Sequence, residues 1–155
     1  MGARTVIPEL AAARDFTGKE LGPSEWVTVD QARIDAFAAV TGDRQWIHTD
    51  VERARRDSPW GSTVAHGYLS LALVPALLAS VLEIGGVKNV VNTGIDKLRL
   101  SAPVPAGARV RLRARVQSVR PIPREGARIQ FAVRLEVEGS AKPALLANVN
   151  YAYFA

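Results

Sequence analysis

Gly67-Tyr68-Leu69-Ser70-Leu71-Ala72-Leu73-Val74-Pro75-Ala76-Leu77-Leu78-Ala79-Ser80-Val81-Leu82 is the stretch whose reading decides the fold. It is apolar on nearly every helical face, and a helix of that pattern is enclosed on most sides rather than laid along a surface. Leu69, Leu73, Ala76, Leu77 and Leu78 form its core stripe. The run from Tyr68 to Leu82 is too short for the roughly 20 residues a bilayer requires, and Ser70, Pro75 and Ser80 interrupt it. A buried central helix is therefore expected, with a kink or a lost hydrogen bond at Pro75 costing about 3 kcal/mol if nothing compensates.

Beyond Gly85-Gly86 the period changes from helix to strand and stays there. Four long strands are expected: Val90 to Leu100, Arg109 to Val119, Ala127 to Val137 and Leu145 to Phe154. Pro103, Pro105 and Gly107 separate the first pair, Pro121 to Gly126 the second, and Gly139 to Pro143 the third. Antiparallel strands with one apolar face must lay it on something, and the apolar helix is what this chain offers. The fold class is α+β, an antiparallel sheet wrapped around a long central α-helix.

Upstream, residues 1 to 24 read as an irregular lead-in with a helical turn or two around Leu10 to Arg14 and breakers at Gly18, Gly22 and Pro23. Trp26 to Val29 is a short strand, and Asp30 stands where a helix N-cap should. Ile34, Phe37, Ala38 and Thr41 share one face of a helix that Gly42 ends. Asp50 caps a second short helix from Val51 to Arg56. Without an internal repeat or linker, the 155 residues read as one domain.

Composition narrows the function classes. There is no cysteine, which excludes disulfides, thiolate metal sites and a cysteine nucleophile. With two histidines besides, no metal role is expected. The net charge of +5 suits nucleic acid, an anionic surface or a phosphate-bearing ligand; nucleic acid ranks lowest, since no recognition helix, zinc finger or aromatic-rich RNA motif accompanies the charge. Arg109, Arg111, Arg113 and Arg115 leave one face of a strand and could hold phosphates, but the hairpin about Pro121 to Gly126 sets Glu138 near Arg109 and Glu136 near Arg111. A solvated ion-pair face is the favoured reading. No secretory signal is visible, so the cytoplasm is the expected location, with no membrane partner.

The chemistry concentrates in Thr41-Gly42-Asp43-Arg44-Gln45-Trp46-Ile47-His48-Thr49-Asp50 and Ser62-Thr63-Val64-Ala65-His66-Gly67-Tyr68. On a continuous helix Asp43 and His48 would point apart, but Gly42 ends the helix, so an irregular segment can turn both toward one point. Gly67 opens the buried helix, where backbone N–H groups lack intrahelical acceptors and a missing Cβ lets a carbonyl approach. His66 reads as a donor to nearby backbone rather than as the acid or base. Trp46 and Trp60 fit core, interface or cavity wall alike.

These two runs resemble the signature of the MaoC-like dehydratases, the (R)-specific enoyl-CoA hydratases of the hot-dog fold. That family's pattern is roughly Gly-Asp-x-Asn-Pro-aliphatic-His, a loop, then aliphatic-x-His-Gly at the start of the central helix. Gly42, Asp43, Ile47 and His48 match the first part, His66 and Gly67 the second, and Arg99, Pro103-Val104 and Gly107 a later strand-and-turn segment. The likeness covers most of the chain from about Trp26 onward. It departs at Gln45-Trp46, where the family has Asn-Pro; Gln45 offers the same amide on a longer stem, and Trp46 is far bulkier than proline.

The resemblance implies homodimers and reversible hydration of trans-2-enoyl thioesters of coenzyme A or acyl carrier protein to (R)-3-hydroxyacyl thioesters. No cofactor is expected, coenzyme A entering as part of the substrate. Asp43 and His48 would be the catalytic pair, Gly67 N–H the donor to the thioester oxygen, and Gln45 the group that orients the pair, with His66 beside them around the substrate. Two alternatives stay open: a thioesterase, in which the same water attacks the carbonyl carbon, and a non-catalytic acyl-thioester-binding or scaffold subunit.

Overall fold

The computed structural model describes residues 3–155; Met1 and Gly2 of the expected lead-in lie outside the described residues. In chain order the elements are β1 (Thr5–Ile7), a 3-10 helix (Leu10–Phe16), β2 (Glu20–Leu21), β3 (Val27–Val29), α1 (Gln31–Thr41), α2 (Trp46–Thr49), α3 (Val51–Asp57), α4 (Gly67–Val81), β4 (Leu82–Ile84), β5 (Asn89–Leu100), β6 (Ala108–Ile122), β7 (Gly126–Val137) and β8 (Leu145–Phe154). The main sheet is antiparallel in the order β2-β6-β7-β8-β5, with β3 also on β6. This is the expected hot-dog arrangement. The lead-in is more ordered than its composition suggests: β1 pairs in parallel with β4, Thr5 facing Leu82, and β2 extends the main sheet. Strands of two and three residues carry too little pattern to be read locally.

Alternation on the long strands sets what faces the helix. Val110, Leu112, Ala114 and Val116 of β6, Ile129, Phe131, Val133 and Leu135 of β7, and Leu145, Ala147, Val149 and Tyr151 of β8 are buried inward. They meet Leu69, Val74, Leu77, Leu78 and Val81 of α4 in one contiguous core. Each such aliphatic side chain contributes about 1.5–3 kcal/mol on burial. Together they outweigh the roughly 3 kcal/mol that an interior proline costs, and α4 runs on through Pro75 to Val81.

Contrary to the expectation from its composition, the helix is not enclosed on most sides, and Ala76 of the expected core stripe lies exposed. Tyr68, Ala72, Pro75, Ala76, Ala79 and Ser80 are exposed, and so is every residue of β5, the edge strand. Val90, Val91, Ile95, Leu98 and Leu100 remain between 37% and 52% accessible, an apolar surface unusual for an isolated chain.

The basic row on the outer face of β6 is matched as the hairpin register implies. Glu136 accepts from Arg111 Nε at 2.6 Å and Arg113 Nε at 2.9 Å. Arg109 holds Glu138 through Nε and Nη2, and Arg115 lies 3.8 Å from Glu20. These guanidiniums are engaged rather than free for a phosphate. Burial pushes the Glu136 carboxyl up, but hydrogen bonds and charge from Arg111 and Arg113 outweigh it and hold it below its ordinary value of 4.5. A carboxyl whose folded-state pKa is depressed stabilises fully above its unfolded value and loses that contribution as pH falls through the folded one. Glu136→Gln should therefore lower the melting temperature at neutral pH, and the gap from the parent should close on acidification below about pH 4.5; melts across that range check it, a constant gap being the contrary outcome.

Candidate active site

The site is assembled where α1 ends. Gly42 adopts φ 81°, the left-handed conformation that closes the helix with its N–H on Ala38 O at 2.9 Å. Asp30 caps the other end of α1, its Oδ1 accepting from Arg33 N at 2.9 Å. The chain then turns through Asp43 into α2, a single helical turn that the sequence reading leaves irregular. Asp50 terminates α2 and caps α3, accepting from Arg53 N at 3.0 Å. This turn swings His48 inward until it is 8% accessible, while Asp43 keeps half of its side chain in solvent.

His48 Nδ1 lies 2.7 Å from the carbonyl of Val64. A carbonyl can only accept, so Nδ1 carries the proton and Nε2 holds the lone pair of the neutral ring. His66, the residue ahead of α4, shows the opposite arrangement: Nε2 donates to the main-chain carbonyl of Asp43 at 2.9 Å. Its Nδ1 is buried without a hydrogen-bond partner among the described residues. The two rings stack with centroids 3.8 Å apart and planes at 24°, and Phe37 of α1 flanks His66 at 4.9 Å. Asp43 Oδ2 stands 4.0 Å from His66 Nε2.

Asp43, His48 and His66 thus each present one nitrogen or carboxylate oxygen within 4.8 Å of the others. One nitrogen of each ring donates to a main-chain carbonyl, which leaves His48 Nε2 and His66 Nδ1 as the free ring nitrogens.

Gly67 opens α4 directly after His66, so its N–H has no acceptor within the helix. A Cβ built there would fall 2.5 Å from Leu100 Cδ1. The nearest neighbour of that position within this chain is therefore the mobile end of the exposed Leu100 side chain, at the end of β5. A concavity of about 400 Å³ lies at this junction, lined by His48, Gly67, Ser70, Trp60 and Leu100 among others. That is the size of a small-ligand site. Asp43, Gln45 and His66 are not among its lining residues.

Gln45 makes no bond to the pair through its side-chain amide among the described residues. It is exposed, and its hydrogen bonds run through its main chain, the N–H to Asp43 Oδ1 at 3.4 Å and the carbonyl accepting from His48 N at 2.9 Å. The amide bonded to the His48 segment is instead that of Gln31, whose Nε2 donates to His48 O at 2.7 Å, and Thr63 Oγ1 donates to Gln31 Oε1. Both residues escape the sequence reading, because no local pattern links position 31 to positions 48 and 63. Trp46 sits under the Arg53 guanidinium, 4.2 Å from its ring centroid, and Trp60 contributes to the cavity wall.

The model of the MaoC like domain family matches residues 13–138. Among curated proteins the chain is 42% identical over 149 residues to 3-hydroxyacyl-thioester dehydratase Z of Mycobacterium tuberculosis, covering 96% of each. It is 41% identical over 140 residues to nodulation protein N of Rhizobium leguminosarum bv. viciae, covering 90% of this chain and 87% of that one. Among solved structures the R-hydratase PhaJ1 of Pseudomonas aeruginosa superposes with a TM-score of 0.68 at 25% identity, over 89% of this chain and 81% of that one.

The ring geometry makes a prediction that two histidines render easy to read. Nitrogen-15 spectra of the neutral imidazoles should show one ring protonated on Nδ1, lost in His48→Gln, and one on Nε2, lost in His66→Asn. Two Nε2-protonated rings would contradict the hydrogen bond from His48 to Val64.

Proposed function

The chain belongs to the MaoC-like domain family, and on that premise we propose that it is a hydro-lyase adding water to trans-2-enoyl thioesters to give (R)-3-hydroxyacyl thioesters, or removing it in reverse. The observation that carries this reading is the meeting of an exposed carboxylate, Asp43, with a buried imidazole of defined tautomer, His48, beside the first amides of α4. In the hydration direction the water oxygen bonds to the β-carbon while the double-bond electrons run to the thioester oxygen. The proton released from water passes by way of the pair to the α-carbon. His48 Nε2 and the Asp43 carboxylate jointly hold that water, and Gly67 N–H donates to the enolate-like oxygen. His66 positions the pair by holding the Asp43 carbonyl and stacking on His48. We assign Gln45 no orienting role.

Water addition moves no electrons to or from an external carrier, so acid–base groups and an oxyanion donor suffice and we propose no metal or redox cofactor. Coenzyme A or acyl carrier protein enters with the substrate, in the cytoplasm. We also propose a homodimer formed over β5 and the open side of α4. An edge strand with a free row of main-chain groups and exposed Val90, Ile95 and Leu98 is what a second copy would cover.

Purified protein mixed with crotonyl-CoA should lose enoyl absorbance without releasing free thiol. Asp43→Asn and His48→Gln should each lower kcat by at least about a hundredfold, the scale of a lost acid or base. Released thiol would overturn the reading in favour of hydrolysis, and binding without turnover in favour of an acyl-binding subunit. For the assembly, sedimentation velocity should give a dimer that Ile95→Lys converts to monomer, since Ile95 pairs with inward Val149 on the apolar face of β5; a monomeric parent would refute it.

A further inference from the structure

Gln31 is the first residue of α1, half-buried and 17 positions from His48, yet its side-chain amide engages two other segments as well as the next turn of its own helix. Nε2 donates to His48 O at 2.7 Å and to Asp35 Oδ1 at 2.9 Å, and Oε1 accepts from Thr63 Oγ1. Thr63 is 2% accessible and adjoins Val64, whose carbonyl takes His48 Nδ1–H. The bonds therefore close a circuit, from Gln31 to the His48 main chain, through the His48 ring to Val64, and back by way of Thr63 to Gln31.

The far side of this circuit is itself anchored. Val64 N donates to Ile47 O at 3.0 Å, Ala65 N to Val104 O at 2.8 Å and Ala106 N to Thr63 O at 3.0 Å. Positions 63 to 65 are thus tied to the turn before β6 and, through Ile47 O, to α2, and Gln31 adds a second tie from α1 to both. His48 is held at two points, main chain and ring, by segments that Gln31 and Thr63 lock to each other. A single turn of helix such as α2 has too few hydrogen bonds to fix its own orientation, so the direction in which Nε2 presents its lone pair depends on this strap together with the bond from Val64 N to Ile47 O.

We infer that Gln31 is a positioning residue for the reaction, acting with Thr63 to set the angle of His48; the inference rests on His48 being a catalytic group as proposed above. The amide is chemically required there. It must offer two donors and one acceptor from a single planar group: glutamate keeps the acceptor but sets a carboxylate against the His48 carbonyl and Asp35, and methionine keeps the length but bonds none of them. A misplacement of about 1 Å at a reacting group costs on the order of a hundredfold in rate, so the strap acts on kcat and leaves substrate binding nearly untouched.

The test is a kinetic series on crotonyl-CoA. Gln31→Met, Gln31→Glu and Thr63→Val should each lower kcat roughly 10- to 100-fold with KM changed by less than about threefold. Thr63→Ser, which retains the hydroxyl, should restore the parent rate. The double variant Gln31→Met with Thr63→Val should be no slower than the slower single one, because the two act as one unit. In Gln31→Met the nitrogen-15 signals of His48 should lose their single Nδ1-protonated pattern, a readout that does not depend on activity. Parent-like kcat in both Gln31 variants while His48→Gln is inactive overturns this inference and leaves the hydratase reading standing; a fully active His48→Gln overturns the reading itself. A fall in kcat accompanied by a large rise in KM and no rescue by Thr63→Ser marks general loosening, and that too overturns it.

Discussion

The burial of one face of α4 against the concave side of the sheet is the constraint on which everything else depends. Leu69, Val74, Leu77, Leu78 and Val81 on the helix and Leu112, Phe131, Leu135 and Val149 on the strands leave the helix one place to lie. That placement fixes where α4 begins, and with it the positions of His66 and Gly67. Burying those side chains is worth several times the cost of Pro75, so the helix holds its line through a residue that would break an isolated peptide. The candidate site is built on the end of a rod whose location is set by apolar packing.

Packing fixes a place, and hydrogen bonding fixes directions. His48, His66 and Thr63 are polar groups in the buried interior, where leaving a donor unpaired costs about 1–3 kcal/mol. Each finds its partner on another segment: Val64 O for His48, Asp43 O for His66, Gln31 Oε1 for Thr63. These requirements force opposite tautomers on two stacked rings. The consequence is one imidazole with its lone pair on Nε2 beside a solvent-exposed carboxylate. The unpartnered Nδ1 of His66 is the one buried side-chain polar atom among the described residues left over from this pairing.

The same chain leaves one side unfinished. β5 pairs only with β8 and exposes apolar side chains on both faces, while the outward residues of α4 are small or apolar rather than charged. By contrast, the outer face of β6 and β7 is tiled with arginine–glutamate pairs and needs no cover. The molecule thus separates a finished solvent face from an open apolar edge, and the proposed cavity, which includes Leu100 at the end of β5, lies against the open side.

Residue periodicity alone determined the helix at Gly67, the four long strands, the caps Asp30 and Asp50, the stop at Gly42 and the pairing of Arg109 and Arg111 with Glu138 and Glu136. Each of these depends on neighbours in sequence or on a short hairpin register, where the physical cause is local. The spacing of Gly42-Asp43 and His48, with His66-Gly67 beyond, likewise marked the segments that the fold brings together. Only the tertiary structure decided that β1 and β2 form, that α4 is half uncovered, that His66 stacks on His48, and that the side-chain amide bonded to the His48 segment is that of Gln31 rather than Gln45. The reason is the same throughout. A side-chain hydrogen bond is specific to about 3 Å, and which groups come that close across 17 or more residues is settled by how packed elements meet, on which residue spacing carries no information.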